Sequence, residues 1–467
     1  MDTISYLNLT VEGFPFQKIS ALEIAHEPNQ HAVASITGEV DSDTASDSLQ
    51  RIDEKTQIEI TTTAEGQPAK LFCGCVAGAS MQQGNAYSSV TLTLKSTSRL
   101  TDITKRNKTY QNTAATYGQI ISGNIADTAD LHMMVSDKAI GTLIMQYGET
   151  DWEFAKRMAS KLNAPLVSNL SSVRAQLYIG LPPVSRTLSE DSLFFNYGSD
   201  LSGYSENQGA MVQDFSSEVV ASYAYAYLGD AITFNGKSGR IKSVRAKMQD
   251  GILQMEYSLL GSSASSGSGG LAGIAVPQTA NAQASGKMMK GKVKAVKGDK
   301  VQVFLNSVDS EYDSGGNWWF PYSTAYSSSD GSGWYCMPEV DDEVLVFFPS
   351  GNEGEAFAAS SVSSSPPSNP HNKSWKAPGG KEILLTDEGM YIIGKTGKLF
   401  INLTDEKGIE IHSDKDINIS AEAKVNITSS KEVNIIAKNQ VVIGTEDAYI
   451  EITENTATLA AGQVLIN

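Results

Sequence analysis

Residues 417–444 read INISAEAK VNITSSKE VNIIAKNQ VVIG, divided here every eight positions. Each block opens apolar–polar–apolar and continues through mostly small or polar residues. The phase runs back to Ile409. First positions are Ile409, Ile417, Val425, Val433 and Val441, and third positions are Ile411, Ile419, Ile427, Ile435 and Ile443. The fifth is always small: Ser413, Ala421, Ser429, Ala437, Thr445. Side chains alternate between the two faces of a strand, so positions one, three and five share a face. Because the repeat is even, every block returns that face to the same side. These ten β-branched residues are the expected core, while Glu410, Asn418, Asn426 and Asn434 at position two point outward.

A fully extended block of eight is at most about 26 Å long and encloses no core of its own, but three make a triangular coil. Either one chain coils alone, or three chains intertwine about a threefold axis; blocks bury their faces only by stacking on neighbours, and stacking permits both. The intertwined form would rise about 14 Å per turn at ~4.8 Å per strand. The phase slips at its ends. Ile383 and Tyr391 are eight apart, an insertion lies around Leu399–Ile401, and after Tyr449 the apolar pair shifts by one to Ile450 and Ile452.

With 467 residues the chain exceeds one core, so several domains are expected. Aromatic residues at 8% and a hydrophobic fraction of 40% exclude global disorder. The net charge of −17 argues against nucleic acid and against an anionic membrane surface. Cys73, Cys75 and Cys336 make no disulfide framework, and Cys73-Gly-Cys75 lacks a Cys or His partner at ligand spacing. The start, MDTISYLNLTVEGF, has no basic then apolar leader, and no apolar run of about 18 residues spans a bilayer. The expectation is a chain made in the cytoplasm, without signal peptide, that would assemble into a particle.

Residues 1–260 alternate short β-like runs (ASITGEV, QIEITTTA, SSVTLTLKS, ITFNGKSGRIKSVRAKM) with two helices. One begins at a capping box, Thr150-x-x-Glu153, and carries Phe154, Ala155, Met158 and Leu162 before Asn163 and Pro165 stop it. The other covers roughly Ala114–Ile125, with Tyr117, Ile120 and Ile121 as its apolar set. Residues 261–286, rich in Gly, Ser and Ala, are a flexible linker. GKVKAV, KVQVFL, WWFPYS and DEVLVFF make 287–362 a small barrel of the OB kind. A Pro/Ser linker at 363–377 precedes the repeat unit, 378–467. The fold class is mainly β with minor α.

No catalytic constellation emerges, and no cofactor or metal is expected. Gly236-Lys237-Ser238 lacks the first glycine of a phosphate loop, Ala231 standing there, and reads as a hairpin turn. His26, His31, His132, His371 and His412 read as lone surface side chains, His26 and His31 flanking Pro28 in a loop. Asp341-Asp342-Glu343 reads as a solvated turn, and Trp318-Trp319 as barrel packing.

Four segments in order carry a family resemblance. QYGETDWEFAKRMASKLNAPL looks like a Gly-Glu-Ser/Thr-Asp helix motif, and LFCGCVAGASMQQGNAYSSVTLTLKSTSRLTDITKRNKTYQN is similar to the strand segment preceding it. WWFPYSTAYSSSDGSGWYCMPEVDDEVLVFFPSGNEGEAFAASSV resembles an OB-fold signature, and HNKSWKAPGGKEILLTDEG the lead-in to a spike. Together they resemble VgrG, the spike of type VI secretion systems, and the hub-spike proteins of contractile phage tails. The resemblance implies a homotrimer with a hub of β-barrel domains docking on a tail-tube hexamer and baseplate proteins. An OB collar and a triangular β-helix spike that pierces a membrane without a transmembrane segment would follow. His412 alone among histidines lies in the repeat, so a His-x-His iron tip is not expected; the ending at Ile466-Asn467 leaves room for a separate PAAR-like tip protein or effector. The alternative is a trimeric phage tail fibre or adhesin binding a cell-surface receptor.

Overall fold

The computed structural model describes residues 3–200, 217–234, 236–260, 274, 276, 278–361 and 369–464. It comprises two units, Met1–Val362 and Ser363–Asn467.

In the first unit a 12-stranded sheet carries the expected hub strands. Val33–Asp41, Gln57–Thr62 and Ile252–Leu260 bury alternate residues, as a period of two requires when one face meets a core. The barrels expected of the hub do not stand apart. Strands from 9–96 and strands from 187–200 and 217–260 form two halves whose long strands Lys18–His26 and Lys237–Gln249 pair edge to edge, from Glu23 opposite Lys247 to His26 opposite Val244. One core, including Leu22, Ile36, Phe72, Tyr257 and Leu259, runs under both.

Helices α1 (Ser42–Gln50), α2 (Tyr117–Ile125) and α3 (Asp151–Lys161) complete it. The α3 capping box is reciprocal: the Glu153 amide donates to Thr150 Oγ1 at 3.1 Å and the Thr150 amide to Glu153 Oε2 at 2.9 Å. Phe154, Ala155 and Met158 are buried as expected, and Asn163 ends the run at a φ of 53°. α2 starts later than expected because Thr116 and Gln119 form a second capping box. α1 was not anticipated: its sequence SDTASDSLQ has no apolar stripe and buries only Ala45.

The OB region is a five-stranded antiparallel sheet in the order Phe320–Pro321, Lys300–Phe304, Lys287–Lys297, Glu343–Phe348, Phe357–Ser361. A parallel bridge from Tyr322 to Ala358 joins the two outer strands and closes the barrel. Val293, Val303, Phe320, Val346 and Phe348 fill it. Most of the expected 261–286 linker lies outside the described residues, but its far end is anchored. Asn281 is buried and Ala284 belongs to the barrel core.

The second unit begins with an antiparallel meander, Lys373–Lys376, Glu382–Leu385, Gly389–Ile393, Phe400–Thr404 and Gly408–His412. Its first strand falls inside the expected 363–377 linker, where Trp375 pairs with Ile383. Residues 413–439 form no assigned strand, and Gln440–Gly444, Tyr449–Thr453 and Ala457–Ala460 form a second meander. The apparent slip after Tyr449 is what a hairpin requires. Ile443 opposes Ile450 and Val441 opposes Ile452, so the parity must change for all four to share a face.

Replacing Thr150 by Ala removes the α3 cap and is expected to lower the unfolding free energy by about 1–2 kcal/mol, measured by denaturant titration with an unchanged slope.

Candidate functional site: an open apolar face and a buried junction

Two features in the described residues depart from ordinary surface and core. The first lies in the second unit. In an antiparallel meander directly opposed residues share a face. Ile383, Ile392, Ile401 and Ile411 lie in one row, with Leu385, Met390, Leu403 and Ile409 in the next. Trp375 extends the first row. The face is apolar apart from Lys373 opposite Leu385 at its edge, yet most of these apolar side chains are open to solvent. In the terminal meander Val441, Ile443, Ile450, Ile452 and Leu459 repeat the arrangement.

Between the meanders the chain bends at 414–415, 422–423, 430–431 and 438–439, once every eight residues. At two of these corners a fifth-position serine holds the turn: Ser413 Oγ accepts from the Lys415 amide at 3.0 Å and Ser429 Oγ from the Lys431 amide at 3.1 Å. The extended runs between the bends make no backbone–backbone hydrogen bond within the chain. A single chain coiling on itself would pair each run with the one three blocks on, and among the described residues no such pairing occurs. The sequence-derived core positions are not gathered within the single chain: Ile409 is 70% exposed, Ile419 75% and Ile435 60%.

The second feature joins the hub to the OB barrel within the first unit. Arg157 of α3 is 3% exposed and binds Glu149 through two hydrogen bonds of 2.7 and 2.8 Å. It also donates to Met145 O at 2.7 Å and to Glu353 Oε1, from the far end of the barrel, at 2.9 Å. Asn281 donates to Met145 O as well, tying in the linker. Burial pushes the Glu149 carboxyl above its usual range despite the Arg157 guanidinium. Asp309 on the barrel receives the Thr109 amide at 2.7 Å, and burial raises its carboxyl too. Gln111 Nε2 reaches Val303 O, and Asn317 Oδ1 accepts from Thr113.

The segment Gly148-Glu149-Thr150-Asp151 lies at the centre of this junction. Gly148 takes a φ of 64°, Glu149 holds Arg157, and Thr150 caps α3 and donates to Asp102. Asp151 pairs with Arg106 at 3.2 Å. Sequence reading singled out this motif but missed Arg157, Glu353 and Asp309. An arginine three residues beyond the buried Phe154 was the one available signal.

The other sequence candidates are structural. Cys73 and Cys75 are buried in one strand, and burial pushes the Cys73 thiol up to about 11. Phe234 pairs with Lys237 across a hairpin. Trp318 packs against the barrel core, and Asp341 takes a φ of 72° in the turn before Glu343–Phe348. Two histidines differ from expectation. His26 is buried at the end of its strand, and burial lowers its pKa to about 4 against a smaller opposing effect from the Ser168 backbone. His31 lies against Trp152 and meets Ser98 Oγ at 2.8 Å and Asp102 Oδ2 at 3.2 Å. Burial opposes the Asp102 charge, but bonds from His31 and Thr150 outweigh it and hold that carboxyl below its usual range. Pro28 turns the chain between the two histidines, and packing against 166–168 covers the loop that sequence reading left open. Among the described residues no three His, Cys, Asp or Glu side chains converge as metal ligands, and no helix is long and apolar enough to cross a membrane.

Two outcomes follow. His26 binds its proton at about pH 4 when folded but near 6.5 when unfolded, so unfolding takes up a proton between these values. The contribution of His26 to stability is therefore complete above pH 6.5 and is lost, by about 3 kcal/mol, as pH drops to 4. His26→Leu should flatten that part of the stability–pH curve. Arg157→Met leaves two buried carboxylates unpaired and is expected to cost about 3–5 kcal/mol, with Glu353→Gln costing less, in calorimetric melts at neutral pH.

Comparison with known proteins agrees with this architecture. Residues 289–362 match the family Phage_base_V, described as the type VI secretion system/phage-baseplate injector OB domain. The Escherichia coli c3393 protein, a type VI secretion component with structural similarity to the T4 tail proteins gp27 and gp5, superposes with a TM-score of 0.56. Identity is 14%, over 75% of this chain and 98% of that one. A chain of the half-lidded Francisella PdpA-VgrG complex gives 0.55 at 9% identity, over 87% of each chain. Characterised protein sequences gave no match. Residues 289–362 thus match the injector OB-domain family, and the chain shares its fold with a type VI secretion component and with a chain of a PdpA-VgrG complex.

Proposed function

We propose that this protein is a non-enzymatic, structural hub-spike component of a contractile injection apparatus, of the type VI secretion, phage-tail or tailocin kind. In this reading three copies meet about a threefold axis. The apolar faces of the two meanders turn inward as three-sided prisms, and 413–439 from each chain intertwine between them as a triangular β-helix. The observation that carries this is the joint behaviour of 413–439: bends every eight residues, exposed apolar side chains at the same period, and extended runs without backbone–backbone hydrogen bonds in their own chain. Neighbouring copies would supply both the missing hydrogen bonds and the cover for the face. Three interleaved strands per rise of about 14 Å leave a gap in each chain's own stack that two other chains fit.

Function then resides in shape. The hub would dock on a tail-tube hexamer and baseplate proteins, the OB barrel would form a collar, and the shaft would carry the thrust that pierces the target envelope. A PAAR-like tip protein or effector is the partner proposed for the far end. Assembly in the cytoplasm into an injection particle belongs to the same proposal.

Electron microscopy of the isolated protein should show a threefold cup bearing a thin rod. Each inward isoleucine counts three times in a trimer, at roughly 1.5–3 kcal/mol per buried side chain. Ile427→Asp, which touches no core of the single chain, should abolish the trimer while leaving the hub folded. A variant that still runs as a trimer in unboiled SDS would refute the shaft.

A further inference from the structure

From Ser413 to Gln440 every charged side chain sits at the sixth, seventh or eighth position of its block, at or just beyond a bend. The eighth column reads Asp416, Lys424, Glu432, Gln440, alternating in sign along the chain. Which residues become vertical neighbours depends on how the coil is built. A lone chain with three blocks per turn would set Asp416 against Gln440 and Lys424 against Ala448, giving the alternation nothing to act on. Three intertwined chains stack consecutive blocks on each face, because the strand above a given block is the next block of a neighbouring copy. Lys424 of one chain then lies between Asp416 and Glu432 of the others, at a strand spacing of about 4.8 Å.

We propose that Asp416, Lys424 and Glu432 form a charge ladder along each edge of the shaft, whose partner is a second copy of this chain and which fixes the axial register of the three chains. The proposal rests on the intertwined reading above. The apolar face cannot set register alone, since every block presents nearly the same Ile/Val pair and a slip by one block buries as much. The charges distinguish the registers, because moving one chain by one block brings Asp416 level with Glu432.

Where neighbouring strands belong to the same chain, the structure already pairs opposed polar residues in this way. Lys376 opposes Glu382 with 3.5 Å between charged atoms, and Asn402 donates to Glu410 at 3.4 Å. In the terminal meander Gln440 donates diagonally to Glu451, two residues along from its own partner Thr453. Asn418, Asn426 and Asn434 would continue the outward amide column between chains. The sixth column does not alternate: Asp414 and Glu422 are followed by Ser430 and Lys438, with Lys415 and Lys424 beside the two acids. The register signal is thus concentrated at Lys424. Single exposed pairs are weak, but three edges repeat this one, and salt screens it.

The test uses the full chain and the temperature at which its trimer dissociates, at low and at high salt. Lys424→Glu should lower that temperature at low salt, the gap should narrow at high salt, and the triple reversal Asp416→Lys, Lys424→Glu, Glu432→Lys should restore it. A Lys424→Glu trimer as stable as the unaltered one at low salt, or a triple reversal no better than the single change, overturns the ladder and leaves the intertwined shaft standing. An unaltered chain that sediments as a monomer overturns both.

Discussion

A peptide group removed from water must find a hydrogen-bond partner, and here that rule divides the molecule. In the hub and the OB barrel every strand finds its partner within the chain, so the fold closes on itself. In 413–439 the extended runs make no such bonds, although their side chains are as regular as any strand in the protein. The apolar faces on either side are open in the same way. Backbone and side chains thus leave the same requirement unmet, and the proposed threefold assembly would meet it at low cost in sequence, since one pattern would serve three times.

The junction between hub and barrel solves a different problem. Buried charges are a poor source of stability, because desolvation offsets much of their attraction. What they supply is direction. Arg157 is satisfied only when Glu149, Glu353 and the Met145 carbonyl converge on its fork, and a barrel rotated on the hub would strand charge in a dry site. An apolar contact of equal area would tolerate sliding.

Legibility in the sequence followed the range of the interactions. The α3 cap was readable because Thr150 and Glu153 are three residues apart, and the eight-residue spacing of the bends in 413–439 because that period is local. The barrel strands were readable for the same reason, apart from Phe357–Ser361, whose small residues give no β-branched run. Arg157 and Glu353 are 196 residues apart and Thr109 and Asp309 are 200, so neither pairing leaves a mark on its neighbours. His26 was misjudged because Pro28 suggests a loop, whereas pairing with Val244 keeps that strand in the sheet to its last residue. The polar α1 formed through its Asp41 cap, without an apolar stripe to announce it.

The seam between the two halves of the hub has a mechanical consequence. Lys18–His26 and Lys237–Gln249 are joined by a short ladder of main-chain bonds running across both strands. A pull along the strands loads all rungs together, and they must fail at once. A pull across the strands opens them singly, from one end, like a zip. The hub is therefore stiff in one direction within its sheet and soft in the other, with the buried His26 at one end of the ladder and the exposed Glu23–Lys247 pair at the other.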